Sequence, residues 1–226
     1  MISLQLPSRL ALWVAICRFV LLVDRMRHRY TSRMKRYVVS FAAVLFCLAT
    51  AGCIGAGMNS TLTPAGPGQF PIVSGKSLEG EIIELPTHLN GELRVVVLAF
   101  EQEQQGLVDT WIEALRPHIS ARPYVQAYEV PVIYEASAAY RFWINNGMRA
   151  GVVSDDARRH VITVYTDREA FFRELGVRRE SVTTMLLDRA GAIKWRFDGA
   201  MTGEALNGLL AAIAKADAAG ASRRAT

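Results

Sequence analysis

The most restrictive feature of this 226-residue chain is the absence of cysteine after residue 53; the three cysteines are Cys17, Cys47 and Cys53. Residues 54–226 therefore cannot form a disulfide framework, a CxxC redox centre, a thiolate metal site or a cysteine nucleophile. That part also lacks a Gly-x-Ser-x-Gly elbow and a Gly-x-x-x-x-Gly-Lys-Ser/Thr phosphate loop after a strand. We expect no catalytic residue and no cofactor in it.

The chain also lacks an extended basic region outside its N-terminus, although its formal net charge is +5. Residues 1–53 hold eight of the 26 Lys and Arg but one of the 21 Asp and Glu. The remainder carries 18 basic and 20 acidic residues and is close to neutral. A balanced globular part argues against a nucleic-acid partner.

An export signal follows Met34. The sequence MKRYVVSFAAVLFCLATAGC over 34–53 has a basic start, an apolar stretch and small residues before Cys53. Ala51 and Gly52 before Cys53 resemble the lipobox of bacterial lipoproteins, which implies cleavage after Gly52 and lipid attachment at Cys53. The usual leucine of such boxes is replaced by Thr50. An uncleaved membrane anchor over 37–56 is the alternative, because about 20 residues can span a bilayer.

The segment 1–33 is a basic leader with an apolar stretch that Arg18 interrupts. Fourteen apolar residues are too few for a comfortable transmembrane helix. Since Met34 begins a complete signal, we expect residues 1–33 to be untranslated sequence ahead of the true start, with a long N-terminal region of the signal as the alternative.

Two further segments have the composition of unstructured chain. Residues 54–75 are uncharged and rich in Gly, Pro, Ser and Thr, which predicts a flexible tether. Residues 217–226 are small and polar and are predicted to be a disordered tail. The folded domain is therefore predicted to span 76–216.

Strand and helix patterns alternate within this domain, which indicates an α/β fold with a central sheet. Strands are predicted over 94–100, 124–133, 160–165, 182–187 and 190–197. The last two flank a tight hairpin turn at 188–191. Helices are predicted over 105–116, ending before Pro117, over 136–148 and over 168–175, capped by Gly176. Thr202 is predicted to cap a final helix whose buried face holds Ala205, Leu206, Leu209, Leu210 and Ile213.

This order, together with VTTMLLD over 182–188 followed by RAGAIKW over 189–195, resembles the redoxin and peroxiredoxin branch of the thioredoxin-like folds. The run YTDREAFFRELGV over 165–177 resembles the helix that precedes that strand in redoxins. The resemblance covers 76–216 and implies a central mixed sheet with helices on both faces.

Two departures from that family coincide with its redox site. Where redoxins place their reactive cysteine, this chain has Glu101, Gln102, Glu103, Gln104 and Gln105. Val182 stands where redoxins keep the proline, commonly cis, that faces the thiol. We expect these six residues to form a partner surface at the position of the redoxin active site, with a solvated loop as the alternative.

A further resemblance is to the mitochondrial ATP-synthase assembly factor family, thioredoxin-like inner-membrane proteins that help to incorporate a subunit of the proton channel. The shared features are a first strand ending in Ala-Phe, Trp111 in the following helix, and the LLDRAGAIKW stretch over 186–195. The resemblance implies a redox-inactive assembly factor or chaperone, anchored in the membrane of the cell envelope with the domain facing the periplasm. The resemblance also implies a protein partner, such as a membrane complex. The alternative is a redoxin-type oxidoreductase or peroxidase relative working with a partner's thiols.

Two smaller groups of residues favour a structural role over a functional one. Asp155, Asp156 and His160 offer oxygen and imidazole donors, but Arg158 and Arg159 beside them favour a charged surface turn over a metal site. Trp111, Trp143 and Trp195 are predicted to be core residues, since the local period directs each of them inward, with an interaction face as the alternative.

Overall fold

The computed structural model describes residues 60–152 and 154–224. The predicted leader, signal peptide, cleavage site Gly52 and lipidation site Cys53 lie outside the described residues. Twelve elements follow in chain order: β1 Val73–Ser77, β2 Ile82–Leu85, β3 Leu93–Ala99, α1 Gln105–Ser120, β4 Val125–Tyr134, α2 Ala138–Gly151, α3 Asp155–Arg159, β5 Ile162–Thr166, α4 Arg168–Leu175, β6 Thr183–Asp188, β7 Ile193–Asp198 and α5 Gly203–Arg224.

The strands form a mixed sheet in the order β2-β1-β5-β4-β3-β6-β7. β3, β4 and β5 are parallel, while β6 pairs antiparallel with β3 and with β7, and β1 pairs antiparallel with β5 and with β2. Helices cover both faces, as the resemblance implied. This is a thioredoxin-like α/β fold, and the predicted fold class is confirmed.

The strand β3 is buried along its whole length because both of its faces are covered. Its odd positions, such as Val95 and Val97, pack in the layer that contains α1 and α5. Its even positions, such as Val96 and Leu98, pack in the layer that contains α4. Burial on both faces explains why the sequence shows a continuous apolar run and no alternation.

The prediction of a flexible tether over 54–75 is wrong for residues 60–75, the part of this range that the structure describes. Phe70 is buried against Phe171, with ring centroids 6.1 Å apart. The Ser60 backbone N–H donates to the Tyr165 carbonyl at 2.9 Å, and Val73 opens β1. The domain therefore begins well before the predicted residue 76, because this Gly- and Pro-rich segment finds partners on distant elements.

Two helix ends also differ from the prediction. Pro117 lies inside α1, which continues to Ser120. A proline removes one backbone donor, and the residues that follow can still make helical bonds. The tail predicted over 217–226 is helical to Arg224, and the Tyr124 hydroxyl donates to Asp217 Oδ2 at 2.5 Å.

The remaining local predictions are confirmed. Gly176 adopts the left-handed conformation, with φ of 59°, directly after α4. Asp188 and Gly191 close the tight turn between β6 and β7 through a 2.9 Å backbone hydrogen bond. The Thr202 hydroxyl accepts from the Ala205 backbone N–H at 3.1 Å and caps α5.

Candidate functional site

The polar residues predicted as a partner surface, Glu101 to Gln105, follow the carboxyl end of β3. After Phe100 the chain makes a 3-10 turn over Gln102–Gln104 and enters α1. Parallel strands place their carboxyl ends at one edge of a sheet, and ligand sites of α/β folds gather there. The geometry of this turn decides which of the predicted residues are accessible.

Gln104 fixes the turn and is not part of an exposed surface. Its Oε1 accepts from the backbone N–H groups of Phe100 at 2.8 Å and Glu101 at 3.3 Å, and its Nε2 donates to the Arg179 carbonyl at 2.7 Å. The side chain is buried. The prediction of a surface role is therefore wrong for Gln104, which joins the turn to the loop between α4 and β6.

Glu101 is held between two arginines. Its Oε1 lies 2.9 Å from an Arg168 guanidinium nitrogen and 2.6 Å from Arg179 Nε. Burial acts to raise the pKa of Glu101, but the hydrogen bonds and charges of the two arginines outweigh it, and the pKa lies below its usual value. The carboxylate is thus ionised and paired at neutral pH, which makes it a poor proton acceptor or nucleophile.

Arg168 is the buried member of this cluster, with a side chain only 3% exposed. Its guanidinium carbon lies 4.1 Å from the centroid of the Tyr134 ring and 5.4 Å from that of Phe172. Arg168 Nε has no hydrogen-bond partner among the described residues. Glu101 is therefore the carboxylate that compensates a nearly buried charge, and Arg179 lies exposed at the outer side of the same pair. We call Glu101, Arg168, Arg179 and Tyr134 the Glu101 cluster.

The other predicted surface residues divide into two groups. Gln102 and Glu103 are exposed and Gln105 is half-buried, so these three can reach a partner. Val182 is fully buried between the sheet and the layer of α1 and α5, where its carbonyl accepts from the Gly199 N–H at 2.8 Å. The prediction of a surface role is wrong for Val182, because the chain uses it as core.

The acidic pair Asp155 and Asp156 forms ion pairs with arginines of the same helix, α3. Arg158 lies 2.9 Å from Asp155, and Arg159 lies 3.3 Å from Asp156. The His160 ring contacts the Asp156 carbonyl oxygen at 2.8 Å. Among the described residues, no three His, Cys, Asp or Glu side chains are close enough to hold a metal ion.

Sequence reasoning missed an aromatic surface on α2. No side chain of α2 is buried, and Tyr140, Phe142 and Trp143 are 52%, 71% and 47% exposed. The core prediction for Trp143 is therefore wrong. Trp111, in contrast, is fully buried and meets the ring of Trp195 at 6.3 Å. The sequence carries no clear signal of this orientation, because successive residues 100° apart can both lie within the apolar face of a helix.

Comparisons with known proteins give only distant structural similarities. No protein-family model matches the chain, and no curated protein matches it. Among solved structures, a thiol-disulfide oxidoreductase from Bacteroides fragilis is 12% identical with a TM-score of 0.42, covering 64% of this chain and 98% of its own. The exposed lipoprotein thioredoxin Etrx1 of Streptococcus pneumoniae is 13% identical with a TM-score of 0.43, covering 64% and 98%. BsSco, of the Sco family of cytochrome c oxidase assembly proteins, is 11% identical with a TM-score of 0.45, covering 67% and 96%.

These similarities transfer no residue role, substrate or partner to this chain. Within the part that the structure describes, no helix has both the length and the apolar character needed to cross a bilayer.

Proposed function

We propose that this chain is a membrane-tethered thioredoxin-like protein that binds a protein of the cell envelope and assists its assembly into a membrane or periplasmic complex, without thiol chemistry of its own. The observation that carries the proposal is the Glu101 cluster. At the position of the redoxin nucleophile, the chain has a carboxylate whose charge is taken up by Arg168 and Arg179. A carboxylate that two arginines already neutralise is a poor general base or nucleophile, which argues against catalysis at this position.

The absence of a thiol supports the same proposal. The whole of 54–226 contains no cysteine, so thiol exchange within the domain has no nucleophile and no leaving group. The turn that would present such a nucleophile is closed by three hydrogen bonds of Gln104. The fold at this position is therefore maintained by polar contacts that do not depend on redox chemistry.

The tether is proposed from the signal at 34–53 and from the position of the first described residue. Ser60 lies seven residues after Cys53 and bonds to the end of β5 through its N–H and its carbonyl. Lipidation at Cys53 or an anchor over 37–56 would each keep the domain close to the membrane on its periplasmic face. The likeness to the ATP-synthase assembly factor family suggests a membrane subunit of a multi-subunit complex as the partner.

Site-specific crosslinking in native membranes tests this function. A photoreactive amino acid at Gln102 would sit at the exposed edge of the Glu101 cluster, and the same group at Asn207, exposed on α5, is the matched control. We expect subunits of one envelope complex to be captured from position 102 and not from position 207. Capture of the same background proteins from both positions would contradict the proposal.

An activity assay tests the redox part separately. The purified chain is expected to leave insulin disulfides unreduced in the presence of dithiothreitol beyond the rate of the reagent itself, and to consume no peroxide. Turnover of either substrate by the chain would favour the alternative, a redoxin relative that acts with thiols supplied by another molecule.

A further inference from the structure

The helix α2 carries an outward-facing uncharged stripe, which we define as Ala139, Tyr140, Phe142, Trp143, Asn146 and Ala150. All six are exposed, and at 100° per residue they occupy one side of the helix. Ile144, Asn145 and Met148 lie on the opposite, half-buried side. A surface helix normally turns its aromatic side inward, so this helix is reversed relative to the usual amphipathic pattern.

The stripe and its neighbour Tyr134 account for most of the exposed large apolar side chains. Such residues number six in the described part of the chain, and four of them fall between positions 134 and 143. Scattered apolar side chains on a surface need no explanation, but a contiguous aromatic group marks a contact with a membrane or another molecule. The stripe therefore requires an occupant.

The contacts of β5 place α2, the helix that carries this stripe, near Ser60, the first described residue of the domain. The Ser60 N–H donates to the Tyr165 carbonyl at 2.9 Å, and the Thr166 hydroxyl donates to the Ser60 carbonyl at 3.0 Å. The Tyr165 hydroxyl in turn donates to Asn145 Oδ1 of α2 at 2.8 Å, and the Arg141 guanidinium lies 5.6 Å from the Tyr165 ring centroid. The same short stretch of β5 thus holds both the entering chain and α2.

Chain length limits how far this part of the domain can lie from the membrane. Ser60 lies seven residues after Cys53, and a fully extended chain of that length spans at most about 25 Å. If Cys53 is at the bilayer surface, Ser60 remains within that distance, and the end of β5 and α2 lie next to Ser60 through the contacts given above.

The composition of the stripe matches the boundary between lipid headgroups and acyl chains. Trp and Tyr concentrate at that boundary because each has an apolar ring and a polar tip, and Phe adds apolar area. The 14 residues of α2 contain no Asp or Glu; Arg141 is on the half-buried side, and Arg149 pairs with Glu79 at 3.3 Å. Glu135 precedes the helix and lies outside the stripe.

We propose that α2 docks on the bilayer to which the chain is tethered, with Tyr140, Phe142 and Trp143 inserted at the headgroup boundary. This inference rests on the proposed membrane tether. The domain would then be held against the membrane at two points, the N-terminal anchor and α2. The Glu101 cluster would therefore lie at a fixed height above the bilayer.

Depth measurement on the full chain tests this docking. An environment-sensitive fluorescent amino acid at Asn146 keeps the three aromatic residues intact, and the same amino acid at Asn207 on α5 is the control. The purified, membrane-processed chain is reconstituted into vesicles of phosphatidylethanolamine and phosphatidylglycerol, with brominated lipids as quenchers. We expect the probe at 146 to be quenched at a depth of about 5–10 Å below the headgroups and the probe at 207 to remain in water.

A variant with Phe142→Ser and Trp143→Ser should return the probe at 146 to water, while the chain still floats with the vesicles. Equal water exposure at 146 and 207 in floating vesicles would overturn the docking and leave the tether intact. Shielding at 146 only in native membranes, with crosslinks to protein, would also overturn it and assign the stripe to a protein partner. A chain that fails to float would reject the tether and the docking together.

Discussion

Replacing Glu101 with glutamine tests whether the Glu101 cluster stabilises the fold. The substitution keeps the size of the side chain but leaves Arg168 without its carboxylate, while the Tyr134 and Phe172 rings remain in place beside it. Loss of one partner from a fully buried pair costs about 3–5 kcal/mol, and an exposed pair is worth about 0–1 kcal/mol. Arg168 is buried but the Glu101 side chain is 31% exposed, so we expect a loss of about 2 kcal/mol.

Urea unfolding of the purified chain at neutral pH measures this loss through the fluorescence of the core tryptophans. With a slope of about 2 kcal/mol per molar urea, the midpoint of E101Q should fall by about 1 M. The control is Glu103→Gln, which removes the same charge from an exposed position two residues away, and we expect it to change the midpoint very little. Adding Arg168→Met to E101Q should recover part of the loss, because it removes the unpaired buried charge.

The pH dependence follows from the lowered pKa of Glu101. A carboxyl whose pKa is lower in the folded state binds its proton more readily when unfolded, so its contribution is complete above the unfolded pKa of about 4.3. It is lost as the pH falls through the lowered folded pKa. The difference in unfolding free energy between the wild type and E101Q should therefore become smaller in acid. Equal stability of E101Q and E103Q at neutral pH would refute the reasoning, since the pair would then contribute nothing.

Two further substitutions test the packing that positions the site. Trp111→Phe should lower the free energy of unfolding, measured in urea, by about 1–3 kcal/mol. The substitution removes part of a fully buried ring and the Nε1 donor that bonds to the Gly199 carbonyl oxygen at 3.1 Å. An unchanged unfolding midpoint would contradict this account. Gly75→Ala should lower the free energy of unfolding by about 1–3 kcal/mol, because the new Cβ would lie 2.5 Å from Ile162 Cγ2. Hydrogen exchange of the β1 amides should become faster. Unchanged protection of these amides would show that the segment before residue 76 is not docked as described.

Elements with strong local patterns could be predicted from the sequence. The apolar run of β3, the turn at Gly191 between β6 and β7, and the cap at Thr202 each depend on residues within a few positions of one another. Their structures differ from the predictions by a few residues at the ends. Local chemistry is sufficient there because the turn or cap satisfies its own backbone groups.

Elements that depend on distant partners could not be predicted. β1 contains Gly75, whose missing side chain allows close approach to Ile162 on β5, and nothing near Gly75 in the sequence indicates that neighbour. The edge strand β2 is only four residues long. Composition alone suggested a flexible tether, because Gly and Pro are common both in linkers and at the turns of docked segments.

The contacts of the candidate site could not be predicted from the sequence. The polar stretch at 101–105 is visible there, but the partners of Glu101 are not, since Arg168 lies 67 residues away and reaches the site from the start of α4. Gln104 and Val182 were misjudged for a related reason. A polar side chain can be buried when the turn supplies its hydrogen-bond partners, and an apolar side chain such as Val182, directly before a strand, can be used for core packing.

Tyr134 connects the two surfaces that this fold presents at the carboxyl ends of its parallel strands. Its ring supports the Arg168 guanidinium of the Glu101 cluster, and the residue is exposed four positions before α2 and its aromatic stripe begin. Tyr134 therefore links the Glu101 cluster to the segment that leads into α2, so a contact that reorients the Tyr134 ring would affect both the support of Arg168 and the start of that helix.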